Sequence, residues 1–133
     1  MTTSALRIKS KDFAKRIVFL CRELKEKHVE SALTGQLLRC AASVGANIHE
    51  AQYAQGTKDF ISKFEIALKE CNESEYWLEL LFETNGISKE VFEQFQKDCI
   101  DLRRMLVSSV KNVEKIVMIA CGEFTVMIAC GEL

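Results

Sequence analysis

Proline is absent from the 133 residues, and glycine occurs only six times. Domains rich in strands or loops use more of these turn-forming residues. No apolar run reaches the roughly 18 residues that a membrane-spanning helix needs. The opening stretch, MTTSALRIKSKDFAKR, also lacks the apolar segment of a signal peptide. These absences predict a soluble, cytoplasmic chain of a few long helices with short connections and no membrane partner.

Residues that carry out chemistry are also scarce. A ferritin-type di-metal bundle needs a Glu-x-x-His pair on each of two helices, but Lys25 and Ala46 precede His28 and His49 by three positions. The six cysteines form no Cys-x-x-Cys pair, and most fall at core-like spacings, which predicts reduced, mostly buried thiols. No local pattern marks a nucleophile beside a base. We therefore expect no enzymatic activity, no cofactor and no specific metal site.

Four segments have apolar residues every three or four positions, the spacing of an amphipathic helix. They cover about 10–27, 34–54 and 57–84, and the last begins at Ser88. The third has the most regular series: Phe60, Phe64, Ala67, Cys71, Ser74, Leu78, Leu81. Short links between consecutive helices make them antiparallel neighbours. The pattern predicts an all-α, antiparallel, up-down-up-down four-helix bundle over residues 1–115.

Polar residues beside these segments predict where the helices begin and end. Ser10 or Asp12 is the expected N-cap of the first helix, Thr34 of the second and Ser88 of the fourth. Asn85-Gly86 is expected to end the third helix in a left-handed conformation.

Residues 116–133 are predicted to form an apolar tail that contains a near-duplication. IVMIACGEF (116–124) is followed directly by TVMIACGEL (125–133). The first copy is expected to extend the fourth helix to Cys121. Three interpretations of the repeat stay open: an in-frame duplication or sequence scar, packing against a neighbouring subunit, and a hairpin.

The charge is distributed unevenly, although the formal net charge is −1. Residues 1–28 carry eight Lys/Arg and three Asp/Glu, whereas residues 57–85 are the most acidic part. One interpretation is a solvated helix face, or a face matched to the acidic third segment of the same or another subunit. The other is a weak nucleic-acid surface, because phosphate binding needs a local surplus of cations. Its candidate contacts are Lys11, Lys15, Arg16 and Arg22.

A polar stripe accompanies the apolar stripe of the second helix. Ser43, Asn47 and Glu50 follow one another at i, i+4 and i+7, so they share one helix face. An amide and a carboxylate there can form a hydrogen-bonded network that sets helix pairing. The alternative is a role in ligand or subunit recognition.

Several segments in order carry a family resemblance: KDFAKRIVFL, LTGQLLRCAASVGANIHEA, GTKDFISKFEIALKECNESEYWLELL and the NG turn. They resemble the bacterial four-helix-bundle proteins encoded within 23S rRNA intervening sequences, over about residues 10–86. The family's Ser, Asn and Glu fall on Ser43, Asn47 and Glu50, and its Gln falls on Gln36, which joins the predicted network.

The same family is similar to the accessory protein of diversity-generating retroelements, a five-subunit barrel that binds nucleic acid and partners a reverse transcriptase. The resemblance therefore implies a homo-oligomer, a pentamer, with RNA or DNA and a protein such as a reverse transcriptase as partners. Gln55-Gly56-Thr57 replaces the family's Arg-rich turn, so we expect weak nucleic-acid binding at most. The alternative function is a bundle that binds a small ligand or metal in its interior.

Overall fold

The computed structural model describes residues 3–121, which form four helices. They are α1 (Thr3–Glu26), α2 (Ser31–Ala51), α3 (Thr57–Glu83) and α4 (Lys89–Cys121). Each helix packs against its neighbours in the chain, and α1 closes the bundle through a smaller contact with α4. The predicted all-α four-helix bundle is confirmed. None of the four described helices combines the length and the apolar character that a membrane crossing requires.

The predicted apolar stripes form the core. In α3, the buried side chains are Phe64, Ala67, Cys71, Ser74, Leu78 and Leu81, which confirms the series read from the sequence except for half-buried Phe60. In α1, Phe13 is fully buried and meets Phe95 of α4 edge-on, with 6.2 Å between ring centroids. Burying one phenylalanine side chain stabilises a folded protein by about 1.5–3 kcal/mol. The helices are therefore held mainly by this shared apolar interior.

Two predicted helix starts are wrong. The first helix begins at Thr3, so Ser10 lies in its interior, where the hydroxyl donates to the carbonyl of Arg7 at 3.1 Å. The second begins at Ser31, and the hydroxyl of Thr34 donates to the Ser31 carbonyl at 3.3 Å. Ser and Thr can bond backward to a carbonyl inside a helix as well as cap one, so residue type alone does not locate a cap.

Asp12 is likewise not a cap, because it lies inside α1 and accepts from Arg16 Nε at 3.0 Å. The cap predicted at Ser88 is confirmed, since its hydroxyl oxygen accepts from the backbone N–H of Val91 at 3.2 Å.

Both α1 and α3 end in a left-handed residue. Asn85 has φ 64°, as predicted, and the Gly86 N–H donates to the Leu81 carbonyl at 2.7 Å. A Cβ on Gly86 would lie 3.1 Å from that same oxygen, so a larger residue there requires a small shift of Leu81. His28 has φ 60°, and the Val29 N–H donates back to Leu24 at 3.0 Å. At each of these two helix ends, a backbone N–H beyond the helix donates back to a carbonyl of its last turns. This is the Schellman arrangement, which satisfies the last carbonyls of a helix.

Small residues bring α1 and α2 together near one end of the bundle. A Cβ on Gly45 would lie 3.5 Å from the Ser10 carbonyl oxygen, and Ser10 itself is only 1% exposed. Alanine would fit at Gly45, whereas a long side chain at either position would meet the facing helix. Gly45 also lines the outer groove described below.

The fourth helix continues to Cys121, so the first copy of the repeat extends it as predicted. Ile116 and Ile119 are 64% and 66% exposed in this extension. The second copy, 125–133, lies outside the described residues. The domain boundary at residue 115 and the interpretations of the repeat stay predictions.

Candidate functional site

Buried Asn47 and half-buried Ser43 form the less exposed part of the predicted polar stripe. Asn47 is 8% exposed, and its Nδ2 donates to the Ser43 carbonyl at 2.8 Å and to Ser43 Oγ at 3.0 Å. Both bonds lie within α2. They fix the rotamer of the amide without linking α2 to a second helix.

The other two predicted members of the stripe lie at the surface. Glu50 is exposed, and its Oε1 is 3.6 Å from Nζ of Lys63 on α3. The carboxylate thus has the cationic partner expected of it. Gln36 is exposed and accepts from Arg39 Nε at 3.1 Å, so it stands apart from the other three. A role of these residues in recognition stays a prediction.

Arg39 is the centre of a polar cluster between α2 and α3 that sequence reasoning missed. One terminal nitrogen lies 3.3 Å from Glu70 Oε2, and the other bonds Glu73. Trp77 Nε1 donates to Glu73 Oε2 at 3.0 Å. This indole bond, followed by the Arg39 bond and charge, holds the pKa of Glu73 below its usual value. The sign of it in the sequence is the carboxylate pair Glu70 and Glu73 at i, i+3. The arginine that binds the pair, Arg39, lies 31 residues before Glu70.

The same cluster contains the one group in the described residues that is able to ligate a metal. The ligand atoms of Cys40, Glu70 and Glu73 lie within 4.8 Å of one another. Burial raises the pKa of the Cys40 thiol, while a bond donated by the Ser74 hydroxyl at 3.2 Å opposes that rise. A cation here would have to displace the Arg39 guanidinium from both carboxylates. The interior ligand or metal function therefore stays a prediction.

The cysteines behave as the sequence predicts within the described residues. Cys21, Cys40, Cys71 and Cys99 are buried and free, and Cys121 is exposed and free. Burial raises the pKa of Cys21 to about 11, which keeps it a protonated thiol at neutral pH.

The basic residues of α1 divide into two groups. Arg16 pairs with carboxylates of its own chain. Its Nε is 3.0 Å from Asp12, and a terminal nitrogen bonds Asp98 of α4. Its guanidinium carbon also lies 5.2 Å from the Phe95 ring centroid. Lys9 Nζ lies 3.8 Å from Asp98 Oδ1. The predicted nucleic-acid contact at Arg16 is thus committed to an intramolecular partner.

The second group faces solvent. Lys11 and Lys15 are exposed, and no carboxylate of the described residues lies within ion-pairing distance of either. Arg22 is exposed as well, and its guanidinium lies 5.7 Å from the ring of Phe19, which is 60% exposed. Three of the four predicted contacts are thus available to an anionic ligand.

A groove of about 580 Å³ runs along the outside of α1 and α2 at the end where α1 begins. Arg7 and Lys11 approach it from α1, and His49 approaches from α2. Its floor consists of small residues: Ala14, Ala42, Gly45 and Ala46. Sequence reasoning missed Arg7 and His49. Arg7 precedes Lys11 by one helical turn, but only the packing of α2 brings His49 to the same groove.

Comparison with known proteins gives the chain a family. The family model described as 23S rRNA-intervening sequence protein matches residues 4–108, which include α1, α2, α3 and most of α4. The chain belongs to this family. The resemblance read from the sequence is confirmed.

A solved structure supports the assignment. It is a protein of unknown function from the S23 ribosomal protein family of Bacteroides thetaiotaomicron, 44% identical to this chain, with a TM-score of 0.81. The match covers 84% of this chain and 99% of that one. No curated protein matches the chain. The family and its fold are thus shown.

Proposed function

We propose that this 23S rRNA intervening-sequence family member is a non-enzymatic, homo-oligomeric bundle that binds nucleic acid weakly and without sequence preference, as an accessory to a nucleic-acid-linked process. The observation that carries the proposal is the exposed face of α1, where Lys11, Lys15 and Arg22 have no carboxylate partner in the described residues. Arg22 stacked on an exposed Phe19 adds an aromatic surface to that face. Cations with a nearby aromatic ring are the groups that bind phosphates and bases.

The pairing of charges explains how a chain of net charge −1 can present a cationic face. Glu70 and Glu73 of α3 are bound to Arg39, and Glu75 of α3 is bound to Arg103 of α4. Internal pairing therefore neutralises part of the negative charge of α3, whereas several cations of α1 stay unpaired. The local arrangement of charge, and not the total, sets the potential that a ligand meets.

The expected binding is weak. Each phosphate contact changes the logarithm of the affinity by about −0.9 per unit of log salt on duplex DNA. With about two or three contacts per subunit, binding should be measurable near 50 mM salt and largely lost near 200 mM. Gln55-Gly56-Thr57, without arginines, contributes no charge to this surface.

The test is a titration of a labelled duplex at those two salt concentrations. Lys15→Glu/Arg22→Glu should abolish binding at low salt. A matched control, Lys58→Glu/Lys69→Glu, makes the same charge change on exposed positions of α3 and should reduce affinity much less. No binding of the wild-type chain at low salt would refute the nucleic-acid function and leave a protein-interaction module.

The oligomer is supported by apolar side chains that one bundle does not fully bury. Ile61 and Leu80 are half-buried on α3, and Ile66 and Tyr76 are 39% and 57% exposed, whereas Leu68 and Trp77 pack against the core of the same bundle. We take the exposed apolar side chains as the candidate subunit interface. We expect light scattering to give a multiple of the 15.1 kDa chain mass, and the family resemblance favours five subunits. A monomer across micromolar concentrations would contradict this part of the proposal.

A further inference from the structure

We infer that the groove between α1 and α2 is a seat for one nucleotide of a single-stranded nucleic acid, with its phosphate held by Arg7, Lys11 and His49. This inference rests on the proposed function and adds to it a location and a preferred form of nucleic acid. It follows from three properties of the groove: its charge, its floor and its size.

The rim of the groove is cationic and carries no opposing charge. No Asp or Glu is among its lining residues. Arg7 and Lys11 are one helical turn apart, so their side chains reach the same edge. Neither side chain has an ion-pair partner in the described residues, unlike Lys9 and Arg16 of the same helix.

The floor is apolar and shallow enough for a flat group. Ala14, Ala42, Gly45 and Ala46 leave the space that larger side chains would fill, and Ile8 stands at the edge, 69% exposed. A sugar and base can rest against such a floor while the phosphate meets the rim. A bare anion site would not need this apolar surface.

The size of the groove favours a single strand over a duplex. Its volume of about 580 Å³ falls within the usual 300–1,000 Å³ range of small-ligand pockets. The bases of a duplex are stacked and paired, so a rigid duplex offers the groove only its backbone. A single strand can turn a base outward and place it against a protein surface.

His49 closes the groove from the side of α2. Arg7 and Lys11 face it from α1, and the Tyr53 ring contacts it at 5.6 Å between centroids. The neighbouring Glu50 instead pairs with Lys63 of α3, so no carboxylate of the described residues pairs with the imidazole. A ring N–H of histidine donates to a phosphate oxygen, so His49 adds a hydrogen-bond donor opposite the two cations.

The experiment measures binding of one labelled 10-nucleotide strand, and of the duplex that it forms with its complement, in low salt. We expect tighter binding of the single strand. Arg7→Gln/Lys11→Gln should reduce the magnitude of the salt slope for the strand by about 1.4, at about 0.7 per lost contact. His49→Ala should weaken binding of the strand by about threefold to tenfold, because it removes a donor to the phosphate.

Lys58→Gln/Lys69→Gln removes two charges from exposed positions of α3 and serves as the matched control. Each variant is first shown to keep the wild-type melting temperature, and a double variant that fails is replaced by Arg7→Gln or Lys11→Met alone, with an expected change in slope of about 0.7. If the wild type binds neither strand nor duplex, the proposed function itself is lost. If it binds but the groove variants match the control, the nucleotide seat is wrong. Equal competition by an acidic helical peptide would also overturn it, in favour of a protein-docking groove.

Discussion

The two sides of α2 are closed by different means. On the side of α1, Ser10 and Gly45 allow close approach, and no ion pair joins the two helices in the described residues. On the side of α3, Arg39 binds two carboxylates and Lys63 lies beside Glu50. At the contact between α1 and α2, cations of α1 stay free along the outer groove. At the contact between α2 and α3, charges of both signs are paired with each other.

This difference shows why formal charge is a poor guide to a binding surface. Counting residues makes α1 basic and α3 acidic, but the property that a ligand meets is the charge left after internal pairing. The contact between α1 and α2 is made by small residues and uses none of the neighbouring charges. Those charges stay free to meet a ligand. The predictions below test the two contacts of α2 in order of expected effect.

The largest effect is expected at the contact between α1 and α2. Ser10→Leu places extra carbons against α2 at a position that is 1% exposed, and overpacking of this kind costs about 1–3 kcal/mol of unfolding free energy. Ser10→Ala should cost less, because the lost hydroxyl bonds only the Arg7 carbonyl of its own helix. Urea unfolding followed by circular dichroism measures both. Wild-type stability of Ser10→Leu would mean that this contact is loose.

A smaller effect is expected along the polar stripe of α2. Asn47→Ala removes a buried amide with two hydrogen bonds and should cost about 1 kcal/mol. Glu50→Ala removes an exposed pair and should cost less than about 0.5 kcal/mol. The same unfolding experiment ranks them, with light scattering as a second measurement. If Glu50→Ala changes the oligomer size while leaving the unfolding free energy unchanged, the carboxylate acts in subunit recognition.

The smallest effect is a change in titration on the α3 side. The pKa of Glu73 is lowered from its usual 4.5, first by the Trp77 bond and then by Arg39. A carboxylate with a lowered folded-state pKa stabilises the fold above its unfolded pKa and loses that contribution as pH falls through the folded value. Trp77 is the only tryptophan, so its fluorescence reports this transition.

Arg39→Gln should move the transition in Trp77 fluorescence to higher pH, toward the unperturbed carboxyl. Arg104→Gln, an exposed arginine of α4, is the matched control and should leave the transition in place. An unshifted transition in Arg39→Gln would show that the indole bond alone lowers the pKa of Glu73.

Much of the fold could be read from the sequence because it depends on local periodicity. The regular apolar series of α3 gave every buried position of that helix and one half-buried position, Phe60, and Asn85 and Ser88 marked a helix end and a start correctly. The starts of α1 and α2 were misplaced because Ser10 and Thr34 bond backward within a helix. The left-handed residue after α1 is His28, and no glycine or asparagine at that position predicted it.

The candidate site was only partly predictable. Lys11, Lys15 and Arg22 were identified as candidate contacts, and they face solvent as that role requires. Arg16 was included with them, although its partner Asp98 lies 82 residues away in the chain. No local pattern could show that pairing. For the same reason His49 gave no sign of sharing a groove with Arg7.

The sequence by itself determined the number of helices, their neighbours and the side of each helix that faces the core, because these follow from spacing along one chain segment. The tertiary structure alone decided which charges are neutralised and which remain free. That choice depends on the rotation and separation of packed helices, to within a few ångströms. Ion pairing is effective only at such distances, since water and salt screen anything farther.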